Sequence, residues 1–309
     1  MADEKISPKI GKDETTGLSR RRLLLSGGLA TAGALAAAAA PRLAVAAAAP
    51  EIDTSFKDFT LPKFQCDDSL VKVQQKGELV ICTSNDWPYS YLAPNTNEWT
   101  GIDADIIRFV AKMLKIPKIT VQTVPFDGMI PGLLDGRFDV VGDSIHYTKS
   151  RAKVVDFCFP TYYYSEWLVV RKGNPLKARK IADLKGKSCG ALLGTNYAEW
   201  VQKTPGVNYR GYKEWLPMGQ DIQNGRLDSA VHDQPIIAAT IKEHPDWRLE
   251  LASGYEPHQL KNPAGYSRFA FRQGDIQLRV GFDAAIEWIE DSEEMSKILT
   301  KWGLSGYNN

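Results

Sequence analysis

Gly142-Asp143-Ser144-Ile145 places a serine directly after the apolar pair Val140-Val141, an arrangement that can present a nucleophilic hydroxyl beyond a strand. Such a serine needs a histidine to take its proton, usually from an Asp-x-x-His element late in the chain. None occurs downstream of this turn, and the turn lies mid-chain rather than on the first strand, so hydrolysis by Ser144 is set aside. The four cysteines, Cys66, Cys82, Cys158 and Cys189, are scattered without the CxxC or Cys/His spacing that zinc requires. The residues therefore suggest no catalytic group, cofactor or metal. Lys plus Arg at 38 against Asp plus Glu at 37 gives a net charge of +1, which excludes a global field for nucleic acid or acidic membranes.

The elements that must position the polar residues are written twice. Lys76-Gly77 leads into the strand-like Leu79-Val80-Ile81-Cys82, and Lys185-Gly186 leads into Cys189-Gly190-Ala191-Leu192-Leu193. Gly136-Arg137-Phe138-Asp139 leads into Val140-Val141, and Gly225-Arg226-Leu227-Asp228 leads into Ser229-Ala230-Val231, each glycine standing where a helix ends. Between them lie helical patterns, clearest in Ile106, Ile107, Val110, Met113 and Leu114, with Asp103 and Asp105 at the helix start. Strand, helix, strand repeated in this way predicts two α/β lobes with mainly parallel sheets. In such sheets ligands bind beyond the carboxyl ends of the strands. Those ends read Thr83-Ser84-Asn85-Asp86-Trp87, Gly142-Asp143-Ser144-Ile145-His146, Gly194-Thr195-Asn196-Tyr197 and His232-Asp233-Gln234, all polar and Gly-rich.

Upstream, Ser19-Arg20-Arg21-Arg22-Leu23-Leu24-Leu25 opens an apolar run to Ala40, and Ala44-Val45-Ala46 offers the small residues of a cleavage site. This resembles a twin-arginine export signal over residues 1–46. A cleaved signal places the mature chain, from about residue 47, in the periplasm, and no cysteine at the end of the run suggests a lipid anchor. Residues 47–75 read as an N-terminal extension.

From about residue 76 to 304 the chain resembles the amino-acid-binding family, family 3, of extracytoplasmic solute-binding proteins of ABC importers. The resemblance is carried by Trp87-Pro88-Tyr89-Ser90-Tyr91-Leu92, Gly101-Ile102-Asp103-Ala104-Asp105, Ile130-Pro131-Gly132-Leu133, Thr148-Lys149-Ser150-Arg151 with Val155-Asp156-Phe157, Asp183-Leu184-Lys185-Gly186-Lys187, Gly194-Thr195, the two Gly-Arg-x-Asp units, Asp233 and Lys301-Trp302-Gly303. It implies a type II periplasmic-binding-protein clamp: an α/β fold of two lobes, each a mainly parallel sheet flanked by helices, joined by a two-strand hinge and closing on a solute. Lobe 1 is expected at 76–170 plus 266–309 and lobe 2 at 171–265, with crossings near Val169-Val170-Arg171 and Tyr266-Ser267-Arg268-Phe269. The implied partners are an amino-acid-like small molecule and a membrane permease, with the protein itself a monomer.

The same resemblance implies the site. Arg151 would pair bidentately with a carboxylate and Asp233, from the other lobe, would take an ammonium. Trp87 would pack the ligand's body, with Tyr91 or Tyr147 adding to that wall, while Gly194, Thr195 and Asn196 would supply the loop and helix start that assist the carboxylate. Around Ser144 the family usually carries small residues, whereas this chain has Asp143 and His146. A second acid facing the cleft favours a ligand with extra positive charge or one bound through a bridging water, which leaves cationic amino acids, opine-like conjugates and cyclic amino-acid derivatives open. A His146 lining the pocket makes affinity change between about pH 5 and 8. Two alternatives share the clamp: a dehydratase-like enzyme, and a partner protein of a periplasmic oxidoreductase. The dehydratase needs a glutamate three residues after Asp233, where this chain has Ile236, which cannot transfer a proton.

Overall fold

The computed structural model describes Leu61, residues 66–258 and residues 265–304. The expected export signal and most of the N-terminal extension lie outside the described residues. Two five-stranded sheets carry the architecture. In the first, β1 (Glu78–Thr83) runs parallel to β4 (Lys118–Thr123) and to β5 (Val140–His146), while β12 (Ser267–Arg272) pairs antiparallel with β5 and with β6 (Val155–Phe157). In the second, β8 (Ser188–Leu192) runs parallel to β9 (Asn208–Tyr212) and β10 (Ser229–Asp233), and β7 (Glu166–Arg171) pairs antiparallel with β10 and β11 (Leu249–Leu251). Short β2 (Tyr91–Leu92) and β3 (Trp99–Thr100) form a separate hairpin.

Each repeated Gly-Arg-x-Asp unit does the same two jobs. Helix α3 (Phe126–Leu134) is followed by Gly136 at φ 73°, and α5 (Trp215–Gln223) by Gly225, also at φ 73°, a left-handed turn that glycine adopts without strain. The aspartate three residues on then ties down the neighbouring strand. Asp139 Oδ2 accepts the Val80 N–H at 2.9 Å, and Asp228 Oδ2 accepts the Ser188 N–H at 2.8 Å. The pattern legible as a repeat is thus a helix stop joined to a strand anchor.

The apolar faces bury as the periodicity requires. Helix α2 (Ile102–Met113) places Ile106, Ile107 and Val110, all fully buried, on the first sheet, and α7 (Ile276–Asp291) returns Phe282, Ala285 and Ile286 to the same core. In the second lobe α4 (Asn196–Lys203) buries Tyr197, Ala198 and Val201, while α6 (Gln234–Glu243) buries Ile236 and Ile237. Burying one such aliphatic side chain contributes roughly 1.5–3 kcal/mol.

The chain crosses between lobes before β7 and again before β12. The first crossing therefore lies upstream of the expected Val169-Val170-Arg171, because those residues sit inside β7, bonded to β10 and β11 of the second sheet. An apolar run such as Leu168-Val169-Val170 marks a buried strand but does not say which sheet it joins. The two crossings touch through an isolated bridge between Tyr163 and Tyr266.

Candidate functional site

The polar segments at the carboxyl ends of β1, β5, β8 and β10 converge where the lobes face each other. Arg151 opens a short 3-10 helix (Arg151–Lys153) and is only 9% exposed. Thr148 Oγ1 accepts its backbone N–H at 3.1 Å, fixing the turn. Its guanidinium lies over the Phe126 ring at 5.3 Å and donates from one nitrogen to the His146 carbonyl at 2.8 Å and from the other to the Gly194 carbonyl at 3.0 Å. Those bonds occupy two of five N–H donors, and among the described residues no carboxylate pairs with it. Burial without a counter-ion pushes the Arg151 pKa down.

Asp233 is the reciprocal case on the opposing lobe. It ends β10, precedes α6 and is 8% exposed. Its Oδ1 accepts the Tyr197 hydroxyl, and no cation contacts it among the described residues. Burial, with Asp143 and Glu166 nearby, raises its pKa from 3.8 to about 7. Next to it, His232 Nδ1 accepts the Asp233 N–H at 2.8 Å, and burial lowers that imidazole's pKa to about 3, so it stands neutral.

Gly194 joins the lobes. Its φ of +77° is left-handed, and a Cβ there would lie 2.9 Å from the Asp127 Cα of α3. Thr195 caps α4, accepting the Ala198 N–H at 3.1 Å while donating to the Leu192 carbonyl at 2.6 Å, and Asn196 begins the helix half-buried. The Thr195 hydroxyl is thus engaged in the cap. Gly194→Ala is expected to weaken ligand binding about tenfold through the clash with Asp127, which arises only where the lobes meet, while the left-handed strain of ~1–2 kcal/mol lowers the stability of empty and bound protein alike. Calorimetric titration of the folded protein reads the clash and the melting temperature of the empty protein reads the strain, and an unchanged affinity contradicts the inter-lobe clash.

Asp143 behaves differently from the expectation of a free acid facing the cleft. It is 1% exposed; Oδ2 accepts the Ser84 N–H at 2.6 Å, the Ser84 hydroxyl at 2.7 Å and the Thr83 hydroxyl at 3.1 Å, and Oδ1 accepts the Ser144 N–H at 2.9 Å. Its chief structural role is to hold the β1 loop. The same Ser84 Oγ lies 2.6 Å from Asp86 Oδ2. A hydroxyl has one proton, so both contacts are satisfied only when one carboxyl is protonated. Asp143, with two backbone N–H donors, is the better anion, though burial still raises its pKa to about 6. Asp86, half-buried and facing Asp143 and Asp233, is pushed well above the usual carboxylate range by burial first and those charges second.

His146 does not serve as the expected switch between pH 5 and 8. Its ring is 3% exposed, stacks on Tyr164 at 4.3 Å and meets Tyr197 edge-on at 6.4 Å. Burial, reinforced by Arg151 and Arg268, lowers its pKa to about 3, so the imidazole stays neutral across that range. Ser144 is buried beside Tyr162 and Tyr164. Trp87 is half-buried on the β1 loop. Tyr91 packs edge-on against Trp302 at 6.3 Å and its hydroxyl lies within hydrogen-bonding reach of the Trp87 side chain, while Tyr147 is 40% exposed against Phe157. Ile236 is buried in the first turn of α6, an apolar group at the place where a clamp-fold dehydratase needs an acid. Tyr89, Tyr164, Tyr197 and Phe126 were not singled out in the sequence. They read as core aromatics, and their places beside Asp233, His146 and Arg151 follow from the fold.

Two opposed strand-end loops, one bearing a buried cation and the other a buried anion, suit a small zwitterion. Residues 79–305 match the family of bacterial extracellular solute-binding proteins, family 3. The chain belongs to this family. Among solved structures, this solute-binding protein is similar to an ancestral arginine-binding protein bound to arginine, with 29% identity and a TM-score of 0.67 over 73% of this chain and 98% of that one. It is likewise similar to an ancestral amino-acid-binding protein described as a precursor of cyclohexadienyl dehydratase, at 26% identity and a TM-score of 0.67 over 76% and 99% of the two chains. Among characterised relatives, the L-cystine-binding protein TcyJ of Escherichia coli is 27% identical over 79% of this chain and 89% of its own length.

Proposed function

We propose that this solute-binding protein captures an amino acid or a close amino-acid derivative between its lobes, without chemistry, and delivers it to the permease of an ABC importer. One observation carries the reading: among the described residues, Arg151 is buried without a carboxylate and Asp233, on the facing lobe, is buried without a cation. Each charge is unfavourable alone, and a ligand carrying a carboxylate and an ammonium compensates both. Trp87, Ser144, Gly194, Thr195 and Asn196 complete the surround, and Asp143 and His146 act through the loop and aromatic layer they hold. Asp143, the better anion of the Asp86–Asp143 pair, adds negative charge near Asp233, which favours ligands with a second cationic group. The twin-arginine pattern supports export to the periplasm with the signal removed, and a monomer suffices because both lobes come from one chain.

A thermal-shift screen of residues 47–309 against the standard amino acids, L-cystine and cyclic amino-acid derivatives tests this. A ligand at about 100 times its Kd stabilises by ~2.7 kcal/mol, enough to raise the melting temperature by several degrees. Failure of every amino acid to do so, with the protein folded and free of retained ligand, overturns the reading.

A further inference from the structure

Tyr89 stands out among the aromatic residues around the cleft. It follows the β1 loop, donating its N–H to the Asp86 carbonyl at 2.8 Å and offering its own carbonyl to the Asp103 N–H at 2.9 Å, so its backbone is fixed at both ends. The side chain is 1% exposed and lies 4.9 Å from Tyr164 and 6.1 Å from Tyr162, ring to ring. Two neighbouring phenols are spent on carboxylates: Tyr162 donates to Asp103 at 3.0 Å, and Tyr197 donates to Asp233. The Tyr89 hydroxyl has no hydrogen-bond partner among the described residues. Burial pushes its pKa well up, and the strongest charge acting on it is Asp233, with Tyr197 also in range. Geometry links it to the second lobe: the Tyr89 ring packs on Tyr164, Tyr164 stacks on His146, and the His146 ring meets Tyr197, the donor to Asp233.

A buried hydroxyl left unbonded destabilises the protein, and phenylalanine would fill the same ring space without that penalty. We propose that Tyr89 is a ligand-contacting, specificity-determining residue whose phenolic oxygen accepts one N–H of the ligand's ammonium while Asp233 accepts another. This rests on the reading that Asp233 receives an ammonium. An ammonium has three N–H donors, so a lobe-1 oxygen and a lobe-2 carboxylate can bind it together, and its capture then draws the lobes shut. The arrangement also favours a primary ammonium over amines bearing extra carbon at nitrogen, which offer fewer N–H groups and need more room.

The test is Tyr89→Phe in the mature chain. The probe is whichever standard amino acid, or L-cystine, most stabilises the unaltered protein, and the readouts are calorimetric affinity and the melting temperature without ligand. The expected result is a 10- to 100-fold fall in association constant, the range for one hydrogen bond to a charged group, with an unchanged or higher melting temperature of the empty protein. The N-methylated form of the same probe, which binds the unaltered protein more weakly, should lose less on the substitution than the primary amine. Equal affinity of Tyr89→Phe and the unaltered protein, while Asp233→Asn loses the probe, overturns the contact and leaves the amino-acid reading standing. Binding of no amino acid by the unaltered protein overturns both.

Discussion

Asp233→Asn is expected to abolish ligand binding and, at pH 8, to raise the melting temperature of the empty protein. The carboxylate is 8% exposed with no cation against it among the described residues, and its pKa is raised from 3.8 to about 7 by burial. Between those values the folded protein holds a proton that the unfolded chain has released. Stability from this group is therefore fully present below about pH 4 and is lost as pH rises through about 7. The displacement corresponds to at most ~4 kcal/mol, and a neutral amide, which has its own desolvation cost and can still accept the Tyr197 hydroxyl, should recover ~1–3 kcal/mol of it. The advantage of the asparagine protein should thus be small at pH 5 and full at pH 8. Affinity runs the opposite way. An ammonium needs the ionised carboxylate, so binding to the unaltered protein should strengthen by up to tenfold per pH unit from 5 to 7 and level off above, while the variant shows no such rise. Melting curves and calorimetry at pH 5, 6, 7 and 8 check both trends, and a variant that binds normally, or melts lower at pH 8, contradicts this role for Asp233.

The division between what the sequence states and what the fold adds follows the physics of each residue. The two Gly-Arg-x-Asp units were legible because a helix stop and a strand anchor need particular residue types at a fixed spacing. Arg151, Gly194 and Asp233 were named through the family resemblance, and the fold adds the bond that Arg151 donates to the Gly194 carbonyl across the lobes. Asp143 and His146 were visible as unusual residues, but their roles were not. The same strand end can aim a carboxylate at solute or at the neighbouring loop, and Ser84, quoted only as part of a polar segment, decides for the loop. His146 loses its titration in the physiological range because Tyr164 and Tyr197 cover it, and those tyrosines are 18 and 51 positions away. The placement of β7 failed to show for a related reason. An apolar run does not encode its partner, and the antiparallel pairing with β10 and β11 decides the lobe.

Arg151→Ala is expected to lower the association constant for the ligand by about a thousandfold while leaving a folded protein. Two charge-assisted hydrogen bonds to a carboxylate are worth about 1.5–3 kcal/mol each, and removing their donor leaves the ligand's own anion buried without a partner. The fold should survive because, among the described residues, the guanidinium is a buried charge with no counter-ion, bonded to the His146 and Gly194 carbonyls. Losing it relieves that desolvation, offsetting part of the packing lost against Phe126. Arg151→Lys separates charge from geometry. A lysine keeps the positive charge but cannot bond the His146 carbonyl, the Gly194 carbonyl and a carboxylate in one plane, so it should recover only part of the affinity. Were alanine to bind as tightly as arginine, the buried cation would have to serve closure alone, through its bond to Gly194, and the ligand's carboxylate would have to be held elsewhere. Titration of both variants, with circular dichroism to confirm folding, distinguishes the two, since a closure role predicts equal losses for ligands with and without a carboxylate.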